Sequence, residues 1–190
     1  MFSQIRKFAV LCLLALPFAQ ALADEYTDTI DLFRKAKESG QFFSKCYAYA
    51  VLPTIGKGGF VVGGAHGTGR VYVNGKHVGD TSMTQLTVGF QLGGQAYSQI
   101  VFLEDKRAFD EFTGGEFEFG AQATAVAITA GASAQAGTTG TSASASGTQE
   151  HSKNIARYYR GMAVFTVAKG GLMYEASIGG QKYSYTPIKK

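Results

Sequence analysis

Eight glycines fall within the 24 residues KGGFVVGGAHGTGRVYVNGKHVGD, Lys57 to Asp80, interleaved with valine, tyrosine and phenylalanine. A run this dense admits three structures: a phosphate-binding loop, a flexible linker, or a glycine-punctuated sheet. A phosphate-binding loop needs glycine, four residues, then Gly-Lys-Ser/Thr entering a helix. Gly64 and Gly69 have that spacing, but Arg70 stands in place of the lysine and Val71 in place of the hydroxyl that would hold magnesium. The next residues, RVYVNGKHV, alternate as a strand does and contain Asn74-Gly75, the dipeptide of a tight two-residue hairpin. No helix faces the glycines, so a dinucleotide fold fails on the same ground. A linker would not carry β-branched and aromatic residues that gain from burial. Glycines within strands mark bulges, bends or the close approach of another backbone, so the segment reads as a curved sheet.

The rest of the chain agrees with that reading. DEYTDTIDLFRKAKESG places Tyr26, Ile30 and Phe33 on one helical face, with Gly40 as a stop. A second short helical stretch starts at Gln41, and YAYAVLP reads as a strand ending at Pro53. QLTVGFQLG alternates, and QIVFLE reads as a fully apolar strand. EDKRAFDEFTGG predicts a short helix with Ala108, Phe109 and Phe112 inward. Further strands are expected over EFEFGAQATAVAITAG, YYRGMAVFTVA and GLMYEASIGGQKYSYTP. Residues 131–152 are low in complexity and read as a flexible loop. The expected fold is therefore α+β and strand-dominated: a curved antiparallel sheet or partial barrel with an N-terminal helix and a short mid-chain helix.

The first 23 residues have the order of a cleavable secretory signal: Arg6 and Lys7, an apolar run from Phe8 to Phe18, then Ala21-Leu22-Ala23. That leaves residues 24–190 as a single exported domain, periplasmic or secreted. It also removes two of the 18 Lys and Arg while keeping all 14 Asp and Glu, so the net charge falls from +4 to +2. A chain so nearly neutral is not a bulk polycation, and no nucleic-acid partner is expected. Cys12 leaves with the signal, so Cys46 stands alone and reads as a buried structural thiol. His66, His77 and His151 lack metal-ligand spacing. No nucleophile elbow is present, and the acids near Asp110 and Glu111 read as solvated. Neither an enzyme, a metal nor a cofactor is expected.

The residues that point to a function are basic and aromatic. Lys57, Arg70 and Lys76 flank the first glycine hairpin. Lys169 and Lys182 flank a weak echo of it, KGGLMYEASIGGQKYSY. If the two hairpins are neighbours, five cations share a patch that attracts an anionic surface, each worth roughly 1 kcal/mol. Tyr72, Tyr183 and Tyr185 combine an apolar body with a polar tip and are candidates for the same interface. Rival readings are a small outer-membrane β-barrel and a structural or surface-interaction protein.

YAVLPTIGKGGFVVGGAHGTGRVY, SMTQLTVGFQLGGQAYSQIVFL, FGAQATAVAITAGASAQAG and YYRGMAVFTVAKGGLMYEASIGGQKY together resemble the SYLF-domain family, most of all its exported bacterial branch. The resemblance runs from about Phe33 to Tyr185. It implies a lipid-binding domain, with anionic phospholipid or a membrane surface as the partner. Eukaryotic members associate with phosphoinositide membranes and, in fungi, with actin, a partner that makes little sense for an exported chain. The family's usual Trp-Ser-x-Pro segment stands here as Asp80-Thr-Ser-Met-Thr84, without tryptophan or proline. Mass spectrometry of the exported protein is expected to give a chain starting at Asp24 without an acyl group; an acylated N-terminus would contradict the signal assignment.

Overall fold

The computed structural model of the chain describes residues 16–59, 62–88, 94–115, 117–120, 123, 125–128, 157–169 and 178–189. Segment 131–152 and most of the second glycine hairpin lie outside them. The described elements are helix α1 (Leu16–Lys35), a short helix α2 (Lys37–Gly40), a 3-10 turn (Gln41–Ser44), β1 (Ala48–Gly59), β2 (Val62–Val73), β3 (Lys76–Val88), β4 (Gln95–Leu103), α3 (Lys106–Thr113), β5 (Phe117–Glu118), β6 (Val126–Ile128), β7 (Met162–Lys169) and β8 (Gln181–Pro187). The eight strands form one sheet in the order β5-β8-β3-β2-β1-β4-β7-β6. All neighbours are antiparallel except β6 and β7. Expected and observed architectures agree: a curled, strand-dominated α+β half-barrel.

Sequence chemistry accounts for the local elements. Asn74 and Gly75 take φ values of 49° and 75° and join Val73 to Lys76 in the expected two-residue turn. Asp105 caps α3 by accepting from the Ala108 N–H at 2.8 Å. Ala108 and Phe112 are fully buried beneath that helix, whereas Asp110 and Glu111 lie on its solvent side, paired with Lys106 and Arg107. α1 ends at Lys35, earlier than Gly40, and the 3-10 turn begins at Gln41 as the sequence suggests.

β1 departs from its expected end at Pro53. It continues to Gly59, and its register slips between Val51 and Thr54 against β2 and between Leu52 and Ile55 against β4. Proline has no N–H to give a ladder, and a bulge is where a sheet tolerates that loss. The bulge explains two of the glycines. A Cβ on Gly69 would lie 2.5 Å from the Val51 carbonyl oxygen, and one on Gly67 would lie 2.6 Å from Ile55 Cγ1 and 2.8 Å from the Thr54 oxygen. Gly58, by contrast, has nothing within 4 Å of such a Cβ, so the close-approach reading does not apply there.

The sheet buries both faces. Ala50, Leu52, Ile55, Val71, Met83, Val101 and Leu103 face one core together with Ala108 and Phe112 of α3. Tyr49, Val51, Ile100, Phe102 and Phe165 face the other, with Phe33 of α1 and Phe42 of the 3-10 turn. Tyr26 and Ile30 of α1 pack against this second core, which confirms the helical face read from the sequence. Side chains of β4 and β8 meet on the first face although three strands separate them in the sheet, so that face is the concave one. Five polar side chains make the meeting: Gln85, Tyr97, Gln99, Gln181 and Tyr183, none more than 5% exposed. Gln99 Nε2 donates to Gln181 Oε1 at 2.9 Å, Tyr183 OH donates to the same oxygen at 2.7 Å, and Gln181 Nε2 donates to Tyr97 OH at 3.2 Å. Gln85 Nε2 donates to the Gly179 carbonyl at 2.9 Å.

Gly69→Ala is expected to destabilise by about 1–3 kcal/mol, because backbone rather than a flexible side-chain end blocks the added carbon. Gly58→Ala is expected to be neutral or stabilising by up to about 1 kcal/mol, since it relieves the entropic cost of glycine in a strand. Thermal melts of the two variants test the pair; equal destabilisation by both would refute the assignment of the crowding to the bulge.

Candidate functional site

Directly opposed residues in an antiparallel sheet point to the same face, so the register places each predicted site residue. Lys182, Thr84, His66, Gly56, Ala96 and Lys169 form one row across β8, β3, β2, β1, β4 and β7. The row spans five strand spacings, about 24 Å measured along the sheet. Lys169 has the parity of Phe165 and Val167, so the row lies on the convex face that carries α1. Leu86, two residues beyond Thr84 on the same face, is 84% exposed. β1, β3 and β7 all run toward this end of the sheet. In the sequence they are followed by Phe60-Val61, Gly89-Phe90-Gln91-Leu92 and Gly170-Gly171-Leu172-Met173, which are glycine and apolar types almost throughout.

The five expected cations therefore do not form one patch. Lys169, Lys182 and Lys57 are at one end of the sheet. Lys57 opposes Ala65, a concave-core residue, and so belongs to the opposite face from the other two. Lys76 follows the Asn74-Gly75 turn at the far end. Its partner Val73 lies eight residues along β2 from Ala65, about 26 Å in extended chain. Arg70 is withdrawn in another way: its guanidinium carbon lies 4.2 Å from the centre of the Tyr26 ring, where it holds α1 to the sheet.

The three tyrosines are occupied by packing. Tyr183 is 1% exposed and belongs to the concave polar network, with burial pushing its phenol well above the usual range. Tyr72 stacks on Tyr49 with centroids 5.2 Å apart. The Tyr185 ring lies over Gly79, and its hydroxyl donates to the Val78 carbonyl at 3.2 Å. Sequence reasoning ranked these three by type. It passed over Leu86, whose signal was present as an apolar residue beside a glycine-rich strand end.

Two ion pairs temper the exposed end. Lys169 Nζ lies 3.2 Å from Glu25 Oε1 and donates to Thr54 Oγ1 at 2.6 Å, while Lys182 Nζ lies 3.5 Å from Glu118. All four charged groups are substantially exposed, so each pair contributes little and exchanges readily for another anion. The Thr54 hydroxyl, donating at 2.7 Å, and next the Lys169 ammonium hold the Glu25 carboxyl below its usual value.

Other groups offer little reactivity. Burial pushes the half-buried Cys46 thiol up, disfavouring the thiolate. Among the described residues no group of three or more His, Cys, Asp or Glu could hold a metal ion, and no helix is long and apolar enough to cross a membrane.

Residues 84–185 match the family model Ysc84, described as Las17-binding protein actin regulator. The match covers more than half of the chain, which therefore belongs to the Ysc84, or SYLF, family. The chain is also 30% identical over 159 residues to Beta cell expansion factor A of Aeromonas veronii. That alignment covers 83% of this chain and 52% of the relative, so the chain spans about half the length of the curated relative it matches. The family model's description is that of a binding and regulatory protein.

Because the Glu25 carboxyl is held low in the folded state, its contribution is present above the unfolded value, near 4.5, and is lost as pH falls through the folded one. Glu25→Gln is therefore expected to lower the melting temperature slightly at neutral pH, with the difference from wild type closing on acidification below that value. A gap that stays constant down to strongly acidic pH would show that the charge is not responsible.

Proposed function

We propose that this chain is a non-enzymatic lipid-binding protein of the cell envelope, exported to the periplasm or secreted, and that it associates with anionic phospholipid through one end of its sheet. The observation that carries this reading is the convex end where Leu86 stands exposed between Lys182 and Lys169. A cation beside an anionic bilayer is worth about 1 kcal/mol, and an apolar side chain adds attraction that salt does not screen. Family membership supports a binding role at a surface. The basic face is thus narrower than the five-cation hairpin patch read from sequence: Arg70 stacks on Tyr26, and Lys76 lies at the opposite end of the sheet.

The closed outer-membrane barrel is the weaker reading. The sheet order runs linearly from β5 to β6, and the convex side that a barrel would turn to lipid is packed beneath α1 and the 3-10 turn through Phe33 and Phe42.

Co-sedimentation of the mature chain with phosphatidylcholine vesicles, with and without phosphatidylglycerol, tests the proposal. Binding is expected to need the anionic lipid and to weaken as salt rises, because exposed charges are screened over about 8–10 Å at physiological ionic strength. Replacing Lys169 and Lys182 together by glutamine is expected to weaken it by about 2 kcal/mol, on the order of thirtyfold. Lys76→Gln, at the opposite end, is expected to leave it unchanged. Equal binding to neutral and anionic vesicles would sink the electrostatic mechanism.

A further inference from the structure

The two edges of the sheet are joined by a single piece of chain. β5 pairs with β8 at one edge and β6 pairs with β7 at the other, and only residues 119–125 lie between β5 and β6. The Phe119 N–H donates to the Gln181 carbonyl at 3.0 Å, and the Ile178 N–H to that of Ala123 at 3.2 Å. Between this strap and the first half of β7 lies a cavity of about 400 Å³, within the range of about 300–1,000 Å³ that small-molecule sites occupy. It meets the convex end assigned to membranes at the Glu118–Lys182 pair.

Its walls are apolar: Phe119, Ala125 and Val126 from the strap and β6, Met162 and Val164 from β7, and Ile178. Its charged groups are Glu111, Glu118, Arg157 and Arg160. The two acids are engaged elsewhere, Glu111 by Arg107 at 3.3 Å and Glu118 by Lys182 at 3.5 Å. The Arg157 and Arg160 side chains have no ion pair among the described residues, so the unneutralised charge is positive. Arg160 is also held in an unusual backbone. With φ of 54° it precedes Gly161 at 80° in a two-residue turn closed by Tyr159 and Met162, a position that favours Asn or Gly. Tyr159, 71% exposed, stands beside it at the cavity.

An apolar chamber with two guanidinium groups that have no ion pair among the described residues selects an occupant with one anionic end and an apolar body. We propose that the cavity binds a free single-chain amphiphile, its acyl chain against Phe119, Ala125, Val126, Met162 and Val164, and its carboxylate or phosphate head met by Arg157 and Arg160.

The test is calorimetric titration of the mature chain with dodecanoate kept monomeric, and with dodecanol as a neutral probe of equal chain length. Dodecanoate is expected to bind one per chain and at least about tenfold more tightly than dodecanol, as a charge-assisted contact requires. The double variant Arg157→Gln, Arg160→Gly is expected to lose that preference while keeping its fold, since glycine suits the turn better than arginine. Ala125→Leu, with an unchanged circular dichroism spectrum, is expected to weaken both probes by occupying the chamber. The proposal is overturned if wild type fails to bind dodecanoate, if it binds both probes equally, or if the folded variants bind as wild type does. Anionic vesicles are expected not to displace the bound dodecanoate; displacement would assign the site to a lipid drawn from a bilayer instead. Because the titration contains no vesicles, its failure is distinct from a failure of the membrane reading.

Discussion

The hydrogen bonds between Gln99 on β4 and Gln181 and Tyr183 on β8 hold the sheet in its curl. In the sheet order these strands are separated by β1, β2 and β3, so a flat sheet would hold them far apart. Buried amides are costly unless paired, and a group left unpaired in such a network costs about 1–3 kcal/mol. Opening the half-barrel would expose or orphan the amides of Gln85, Gln99 and Gln181 together. An apolar interior would tolerate sliding; a network of directed bonds fixes which residues face one another across the interior. The concave core under α3, the strap from β5 to β6 and the cavity beneath it all depend on that fixed curvature.

Much of the architecture was legible because local chemistry dictated it. Asn74-Gly75 can do little but turn a hairpin, Asp105 before a short amphipathic run caps a helix, and Tyr26, Ile30 and Phe33 align only on a helix. The bulge at Pro53 was read as a strand end because a proline gives the same signal in both cases. Only the glycines on the neighbouring strand, Gly67 and Gly69, distinguish them, and their relevance depends on a register the sequence does not display. The interior network escaped for a related reason. Gln99 sits in a run that reads as fully apolar, and Gln181 sits among turn residues; nothing local brings positions 82 apart together.

The candidate site was legible in type and less so in place. Cations flanking a glycine hairpin look adjacent in sequence, yet a strand of twelve residues carries Lys57 and Lys76 to opposite ends of the sheet. Alternation then separates Lys57 from Lys169 by face. Tyrosines that looked interfacial by composition are consumed by the stacking of Tyr49 on Tyr72 and by the closure of the half-barrel. Leu86 is the converse case, an ordinary apolar residue in sequence that the register turns outward. The cavity draws its walls from Phe119, Ala125 and Val126, from Met162 and Val164, and from Ile178, with Glu111 of α3 beside them, separate stretches whose meeting no single one announces.

The interior network also sets the order in which the molecule can be completed. Gln99 and Gln181 are 82 residues apart, and β8 is the last of the described strands. Contacts of such sequence separation form late and slowly, because the entropy of closing the loop is lost before any bond repays it. A chain emerging from its N-terminus holds β1 to β4 well before it holds Gln181 and Tyr183, which curl them. Until β8 arrives, the concave face of those strands is covered only in part, by Ala108 and Phe112 of α3, and the native state is out of reach. Under the proposed export, this late closure would keep the chain threadable for as long as transport requires.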